Sequence, residues 1–370
     1  MANRPLRALV FGSAMIDTIA IVANELIEHL TLRNADVSFL LLEAGRKTEA
    51  LDISTHCGGG GLNVAVAMAR LGIQVAALVK LGDDARADTI CRQLEEEGVA
   101  TDWIVRDGRR PTGAAVHLSS HDRDAAIFTF RGANTLLVAA DLKDAAFDVD
   151  LVYLSSLSDE SAECFPSIIE KAKAAGAMVA ANPGIRQLRS RAGAFLECLG
   201  RIDILTINRV EADALVPGLA SRAGERSAQL DPAPGRDAPA LVVRGFASEG
   251  FFLPFAAFFR AVMSQGPRFL LVTDGGAGAF IGAEGYVLHC PVMATDVAGT
   301  AGAGDAFAAT FACCLASGRP LEDAIRAAAV NAASVVARID AQGGLLDGAE
   351  IDRRARNRAS KLALKRWKLT

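Results

Sequence analysis

A run of small residues, Gly299-Thr300-Ala301-Gly302-Ala303-Gly304, ends in Asp305-Ala306-Phe307, and the stripe Phe307, Phe311, Cys314 marks Asp305–Leu315 as a helix. Small residues ahead of a helix let backbone N–H groups converge on one point, where the helix dipole adds partial positive charge. Such a nest binds an anion. An aspartate on the first turn opposes an anion that merely sits there, so its presence asks for chemistry. A carboxylate can take the proton of an attacking hydroxyl while the N–H groups of Gly302, Ala303 and Gly304 stabilise charge on a transferring phosphoryl group. The plainer reading is a helix cap behind a tight turn. No Lys-Ser/Thr pair comes after the glycines, so the run is not a Walker A loop.

Other residues suit the same chemistry. Asn208 and Glu211 place an amide and a carboxylate three residues apart at a strand end, a pair suited to holding water around a Mg²⁺ ion on ATP phosphates. Thr273-Asp274-Gly275-Gly276-Ala277-Gly278 offers flexible backbone, with an ordinary hairpin turn as the alternative. Asp17 and Asn63 are short polar side chains of a kind that grips sugar hydroxyls, and read alone they are a turn residue and a helix cap. The five histidines fall in no constellation with a nucleophile, and surface positions are expected for His117 and His121.

Positioning these groups requires a frame. Strand-like runs at Ala8–Phe11, Val75–Val79, Leu151–Leu154, Met178–Ala181, Ile202–Ile207 and Phe269–Val272 alternate with amphipathic segments, which predicts a parallel sheet covered by helices on both faces. Helices are predicted over Asn63–Leu71, stopped by Gly72, and over Ala85–Glu97, stopped by Gly98. Val37–Ile53 and Gly113–Phe130 break the rhythm and read as antiparallel hairpins that form a small β lid, the latter turning at His121-Asp122-Arg123-Asp124. Residues from Pro217 to about Gly266 are irregular, then rich in phenylalanine from Phe251 to Phe259, where a core helix is expected. Arg353 to Lys368 is strongly basic and reads as a solvated helix end.

The chain has 370 residues, 51% hydrophobic and 22% charged, with a net charge of −4. That balance suits a globular protein with a large core and gives no electrostatic footprint for nucleic acid, leaving small molecules as substrates. Seven scattered cysteines without a CxxC pair predict reduced thiols rather than a zinc site. No apolar run reaches the length of a spanning helix or a signal peptide, so a cytoplasmic protein without membrane contact is expected.

The sequence resembles the ribokinase-like (PfkB) carbohydrate kinases at two signatures. Gly302-Ala303-Gly304-Asp305-Ala306-Phe307 is similar to the family's C-terminal signature, and Gly58-Gly59-Gly60-Gly61-Leu62-Asn63-Val64-Ala65-Val66-Ala67, continuing to Arg70-Leu71-Gly72, to its first. Similar pieces lie at Gly12 to Asp17, Gly82-Asp83-Asp84, Pro111-Thr112-Gly113, Gly132-Ala133-Asn134, Asn182-Pro183, Asn208-Arg209-Val210-Glu211 and Thr273 to Gly278. The resemblance covers roughly residues 8 to 345.

It implies a three-layer α/β/α ribokinase-like domain over residues 1–350, with a lid from about 37–54 and 112–130, an irregular insertion at about 217–266 and a basic tail at 351–370. It implies an ATP- and Mg²⁺-dependent kinase acting on a sugar or nucleoside hydroxyl. In that reading Asp305 is the base, and Asp17, Asn63 and the backbone of Gly59, Gly60 and Gly61 are the sugar site. Asn208, Thr273, Gly275, Gly276 and Gly278 serve the nucleotide, Glu211 the metal through water, and a homodimer through the lid is expected.

Three departures shape the expectation. Gly299 stands where relatives carry an aspartate of the monovalent-cation site, and Asp296 lies three residues away, so K⁺ activation is not implied. Gly60 replaces a lysine of some phosphosugar kinases. Ser155 and Ser156 stand where ribokinases have a sugar-binding glutamate, which leaves aldose, ketose, sugar acid and nucleoside open, and Arg131 could greet a carboxylate. The rivals are a non-catalytic sugar or nucleotide sensor on the same fold, and a dinucleotide-dependent oxidoreductase, which Phe11-Gly12-Ser13-Ala14-Met15-Ile16-Asp17 excludes because it lacks G-x-G-x-x-G.

Overall fold

The computed structural model describes residues 4–23, 25, 28–31, 38–41, 43–45, 47–120, 125–223, 229–235, 237–358 and 362–370. A ten-stranded sheet forms the middle layer. Six strands run parallel in the order Gln74–Leu78, Arg7–Phe11, Leu151–Leu154, Met178–Ala181, Ile204–Asn208, Phe269–Thr273. All six carry the apolar runs that the sequence marks as strands. The sheet then continues antiparallel through Ala279–Ala283, Tyr286–Cys290, Lys365–Leu369 and Leu230–Asp231.

Because side chains of a strand point to alternate faces, each central strand feeds two cores. Ala8 and Val10 pack with helices Gly60–Arg70, Ala85–Glu96, Ala303–Ala316 and Leu321–Val335, while Leu9 and Phe11 pack with helices Phe165–Ala174, Ala192–Cys198, Arg209–Ala223 and Phe255–Met263. Leu151 and Tyr153 divide from Val152 and Leu154 in the same way. The result is the three-layer α/β/α fold with both faces of the parallel sheet covered.

A second, four-stranded sheet forms the β lid, in the order Ala125–Phe130, Gly113–Ser120, Met15–Val22, Ala50–Gly58. The expected hairpin across Gly113–Phe130 is there, Ala125 facing Ser119 and Phe130 facing Ala114; its four turn residues lie outside the described ones. The hairpin expected across Val37–Ile53 is not. Ser38–Leu41 pairs instead with Glu28–Thr31, and Ala50–Gly58 with Met15–Val22. The long intervening stretch, with an apolar run of its own at Phe39-Leu40-Leu41-Leu42, conceals that Met15–Val22, itself rich in β-branched residues, is the available partner.

Two other expectations change. The basic C-terminal stretch is not only a helix end: after helix Gly348–Arg358 the chain returns as strand Lys365–Leu369, inserting Trp367 opposite Val287 with 6% exposure. Alternation explains it, since Lys365, Arg366 and Lys368 are charged but Trp367 and Leu369 are apolar. The insertion is more regular than expected, with helix Arg209–Ala223 running through Pro217 and the phenylalanine-rich part forming a hairpin, Phe246–Ser248 with Phe251–Leu253, ahead of helix Phe255–Met263. Phe255, Phe258 and Phe259 are buried as a core helix requires, while Phe251 and Phe252 remain exposed.

Candidate active site

The helix Ala303–Ala316 begins behind Gly302, whose φ of 76° is left-handed and whose missing side chain leaves room for Ala341. Gly304 in the first turn faces open space, and the first N–H groups of such a helix have no intrahelical acceptor. Asp305 sits in that turn and accepts a hydrogen bond from Asn63 Nδ2 at 2.9 Å. Asn63 Oδ1 in turn accepts from Gln342 Nε2 at 3.0 Å, and Gln342 Oε1 from Gln93 Nε2 at 2.5 Å. A chain of three amides thereby fixes which end of Asn63 faces the carboxylate. No local pattern marks Gln342, which is distant in sequence from every residue it serves.

Protein surroundings push the Asp305 carboxyl up to about 6, because burial disfavours its charge; the Asn63 hydrogen bond opposes this. A carboxylate with this value is ionised at neutral pH and still basic enough to share a hydroxyl proton. The fully buried Tyr153, whose hydroxyl lacks a partner, lies close enough to feel the Asp305 charge.

The first glycine run packs on the end of the first strand. Gly61 N–H and Leu62 N–H donate to Ser13 O, at 3.0 and 3.3 Å, and Gly60 N–H donates to Ser13 Oγ at 3.2 Å. The amides of Gly60 and Gly61 are thus engaged with Ser13, and what these glycines supply is closeness. A side chain at Gly60 would meet Ser155 Oγ and reach within 3.7 Å of Asp305 Oδ1, and one at Gly61 would touch the Gly12 backbone at 3.0 Å. Gly59, at φ 99°, has the same relation to the Ser13 carbonyl. Gly60, Asn63, Ser155 and Asp305 are in this way brought to one point.

Asp17 projects from strand Met15–Val22 beside Gly58, which has no room for a side chain against it. Its Oδ1 is buried without a hydrogen-bond partner, 3.8 Å from His117 Nε2. Register places Asp17 opposite His56 and Ala115, with His117 two residues along on the same face. Only 15% of the His117 side chain is exposed, so it belongs to the inner face of the lid and not to the surface.

Within electrostatic reach of Asp305, Asn208 and Glu211 cap helix Arg209–Ala223 reciprocally: Glu211 Oε2 accepts from Asn208 N–H at 2.8 Å and Asn208 Oδ1 from Glu211 N–H at 2.9 Å. Burial raises Glu211 to about 7, with a smaller push from the charge of Asp305. Asn208 pairs in register with Thr273, so the loop Asp274–Gly278 starts beside it. Gly275 and Gly278 adopt φ of 50° and 95°, Gly276 is unobstructed, Arg209 pairs with Asp274 at 3.3 Å, and His289 Nε2 bonds Ala277 O at 2.8 Å. Among the described residues no three His, Cys, Asp or Glu side chains converge on one point, so a Mg²⁺ ion would be held through Glu211, water and phosphate oxygens.

Other matched pieces join the frame. Asn134 grips Ala14 at both N–H and O, each at 2.9 Å, and Thr112 bonds Gly82 N–H and Asp84. Gly299 lies against the carbonyls of Arg338 and Ile339, each 3.0 Å from where a Cβ would stand. A cavity of about 670 Å³ lies between Asp296 and its neighbours, Arg338 and the inner face of the lid at Ile21 and Ser119; Asp305 does not line it.

Comparison with known proteins shows the family and the fold. The family model described as pfkB family carbohydrate kinase matches residues 6–224 and 256–347, omitting much of the insertion and the last strand. A deoxyribokinase of Salmonella typhi is 27% identical over 318 residues, covering 85% of this chain and 91% of its own. A ribokinase of Bacillus subtilis is 27% identical over 312 residues, covering 84% and 91%. The structure of Arabidopsis thaliana ribokinase complexed with ribose and ATP superposes with a TM-score of 0.70 at 22% identity, covering 95% of this chain and 99% of that one. With Asp305 in the first turn of the helix behind Gly302 and both signatures folded to one point, the chain belongs to the pfkB family of carbohydrate kinases and is an ATP-dependent kinase.

Proposed function

We propose that the protein transfers the γ-phosphoryl group of ATP in line to a hydroxyl of a sugar or sugar-like small molecule, with Asp305 as general base. The observation that carries this is the position of the Asp305 carboxylate, held by Asn63 in the first turn of helix Ala303–Ala316 behind the Gly302–Gly304 nest. Asp305 takes the hydroxyl proton as the oxygen attacks, and the N–H groups of Ala303 and Gly304 hold the phosphoryl oxygens at the positive end of the helix. The orphaned Asp17 Oδ1 accepts from a second hydroxyl, fixing the sugar against the glycine run. Asn208 and Thr273 to Gly278 border the nucleotide. Mg²⁺ bound with ATP offsets phosphate charge, and Glu211 orders its water shell.

The lid supports a homodimer. Ile53, Val116, Phe128 and Phe130 share its outer face by register and are 65, 46, 65 and 53% exposed, an apolar surface that a second copy of the chain would cover.

ADP release on pentoses, hexoses, sugar acids and nucleosides, with and without K⁺, tests the reading. Sugar-dependent turnover is expected, without K⁺ activation because Gly299 brings no carboxylate to the Arg338 and Ile339 carbonyls. Preference for nucleosides would make it a nucleoside kinase, and ligand binding without any turnover would make it a sensor.

A further inference from the structure

The loops that leave the carboxyl ends of strands Leu151–Leu154 and Met178–Ala181 extend the cleft away from Asp305. Ser155, beside Gly60 and Asp305, begins the first; its neighbour Ser156 packs 2.7 Å from where a Cβ of Gly184 would lie, and Gly184 leads to Arg186 in the second. Arg131, at the end of lid strand Ala125–Phe130, adjoins both loops. Its guanidinium is half-buried, forms no ion pair or side-chain hydrogen bond with the described residues, and has Arg186 and Asp159 as its charged neighbours. Burial and the Arg186 charge both lower its pKa, and Asp159 only partly offsets them.

Arg186 and Asp159 also line a cavity of about 400 Å³ together with Gln187. Gln187 is 2% exposed, and its Oε1 is buried without a partner. Asp159 holds φ at 53°, an uncommon conformation for a residue with a side chain. Two guanidinium groups therefore neighbour one carboxylate beyond the carboxyl ends of two central strands, where ligands of open α/β sheets bind.

An unneutralised, half-buried guanidinium beside a second one is costly unless an anion completes the set. Planar forks of N–H donors match a carboxylate in bidentate fashion. Beyond Ser155 and Ser156 the charged neighbours are Arg131, Arg186 and Asp159, two cations to one anion.

We infer that the substrate is a sugar acid whose carboxylate is bound by Arg131 and Arg186 at the end remote from the hydroxyl that Asp305 activates. This rests on the kinase reading above and names the substrate class of the same site. Arg131 is the main specificity determinant because it is the desolvated member; Arg186, being exposed, contributes less.

The test compares gluconate, galactonate, ribonate and glucuronate with the corresponding neutral aldoses and with aldose phosphates. Initial rates are measured on the wild type, and calorimetric binding on Asp305→Asn with a non-hydrolysable ATP analogue. The inference expects the best acid to exceed its neutral counterpart at least about 100-fold in kcat/KM, consistent with a buried charge-assisted contact. Arg131→Met should lower kcat/KM for the acid about 100-fold and Arg186→Met about 10-fold, each leaving a neutral sugar within about 3-fold. Arg186 is exposed, so its variant retains the fold even if Arg131→Met does not.

A preference for neutral sugars overturns the inference and leaves the kinase intact. Preference for aldose phosphates overturns it in favour of a phosphate site. Failure of every compound to turn over or bind overturns both readings.

Discussion

Asn63 Nδ2 donates to Asp305 Oδ2 at 2.9 Å, so a residue at the start of one helix lowers the proton affinity of a carboxylate at the start of another, against the larger effect of burial. The sequence casts Asn63 as a sugar ligand; in the structure both ends of its amide are engaged, one with Asp305 and one with Gln342. In the free protein it orders the Asp305 carboxylate.

That relation predicts a pH profile. With Asp305 at about 6, kcat/KM should fall about tenfold per unit below pH 6, because the base must be ionised. Asn63→Leu removes a donor that favours the charged form, so the acid limb should move to higher pH. Gln342→Leu, which frees the Asn63 amide to turn, should move it in the same direction by less, and an unmoved limb in both variants would refute the ordering role.

The same burial predicts a stability effect. The folded value of Asp305 lies above its ordinary 3.8, so folding favours the protonated form, and stability falls as pH rises from about 4 to about 6. Asp305→Asn should raise stability at pH 8 by about 1–2 kcal/mol after allowing for the partial exposure of the cleft, read by urea denaturation, and have little effect at pH 4. An equal gain at both pH values would point to another cause.

Glu211→Gln separates charge from capping, since glutamine can still bond Asn208 N–H. The Mg²⁺ concentration for half-maximal rate should rise about tenfold with little loss of stability. In the wild type, Glu211 near 7 makes this requirement increase as pH drops through neutrality. A Mg²⁺ requirement unchanged by the substitution would remove Glu211 from the metal site.

Trp367→Ala should destabilise the fold by about 3–5 kcal/mol, read by urea denaturation, because it empties a buried position beside Val287. A change under about 1 kcal/mol would show the last strand to be peripheral.

How far the sequence speaks depends on the reach of the interaction. Apolar runs such as Leu151–Leu154 announce themselves because a parallel strand is buried on both faces, and Gly72 and Gly98 mark helix ends because their φ of 82° and 74° suits glycine. Asp305 is legible through its glycine neighbours. Gln342, Ser13 and His117 are not, since each acts across the fold on a residue distant in sequence. The last strand is obscured by charge: three basic residues around Trp367 resemble a solvated tail until the alternation is matched to Tyr286–Cys290.

The central claim is that Asp305 takes the proton of the accepting hydroxyl. Rapid-quench measurement of single-turnover phosphoryl transfer by Asp305→Asn, with ATP and sugar affinities determined in parallel, tests it most directly. Transfer should be slowed about 10²–10⁴-fold with ATP affinity within about 3-fold of wild type. Transfer at the wild-type rate would contradict it.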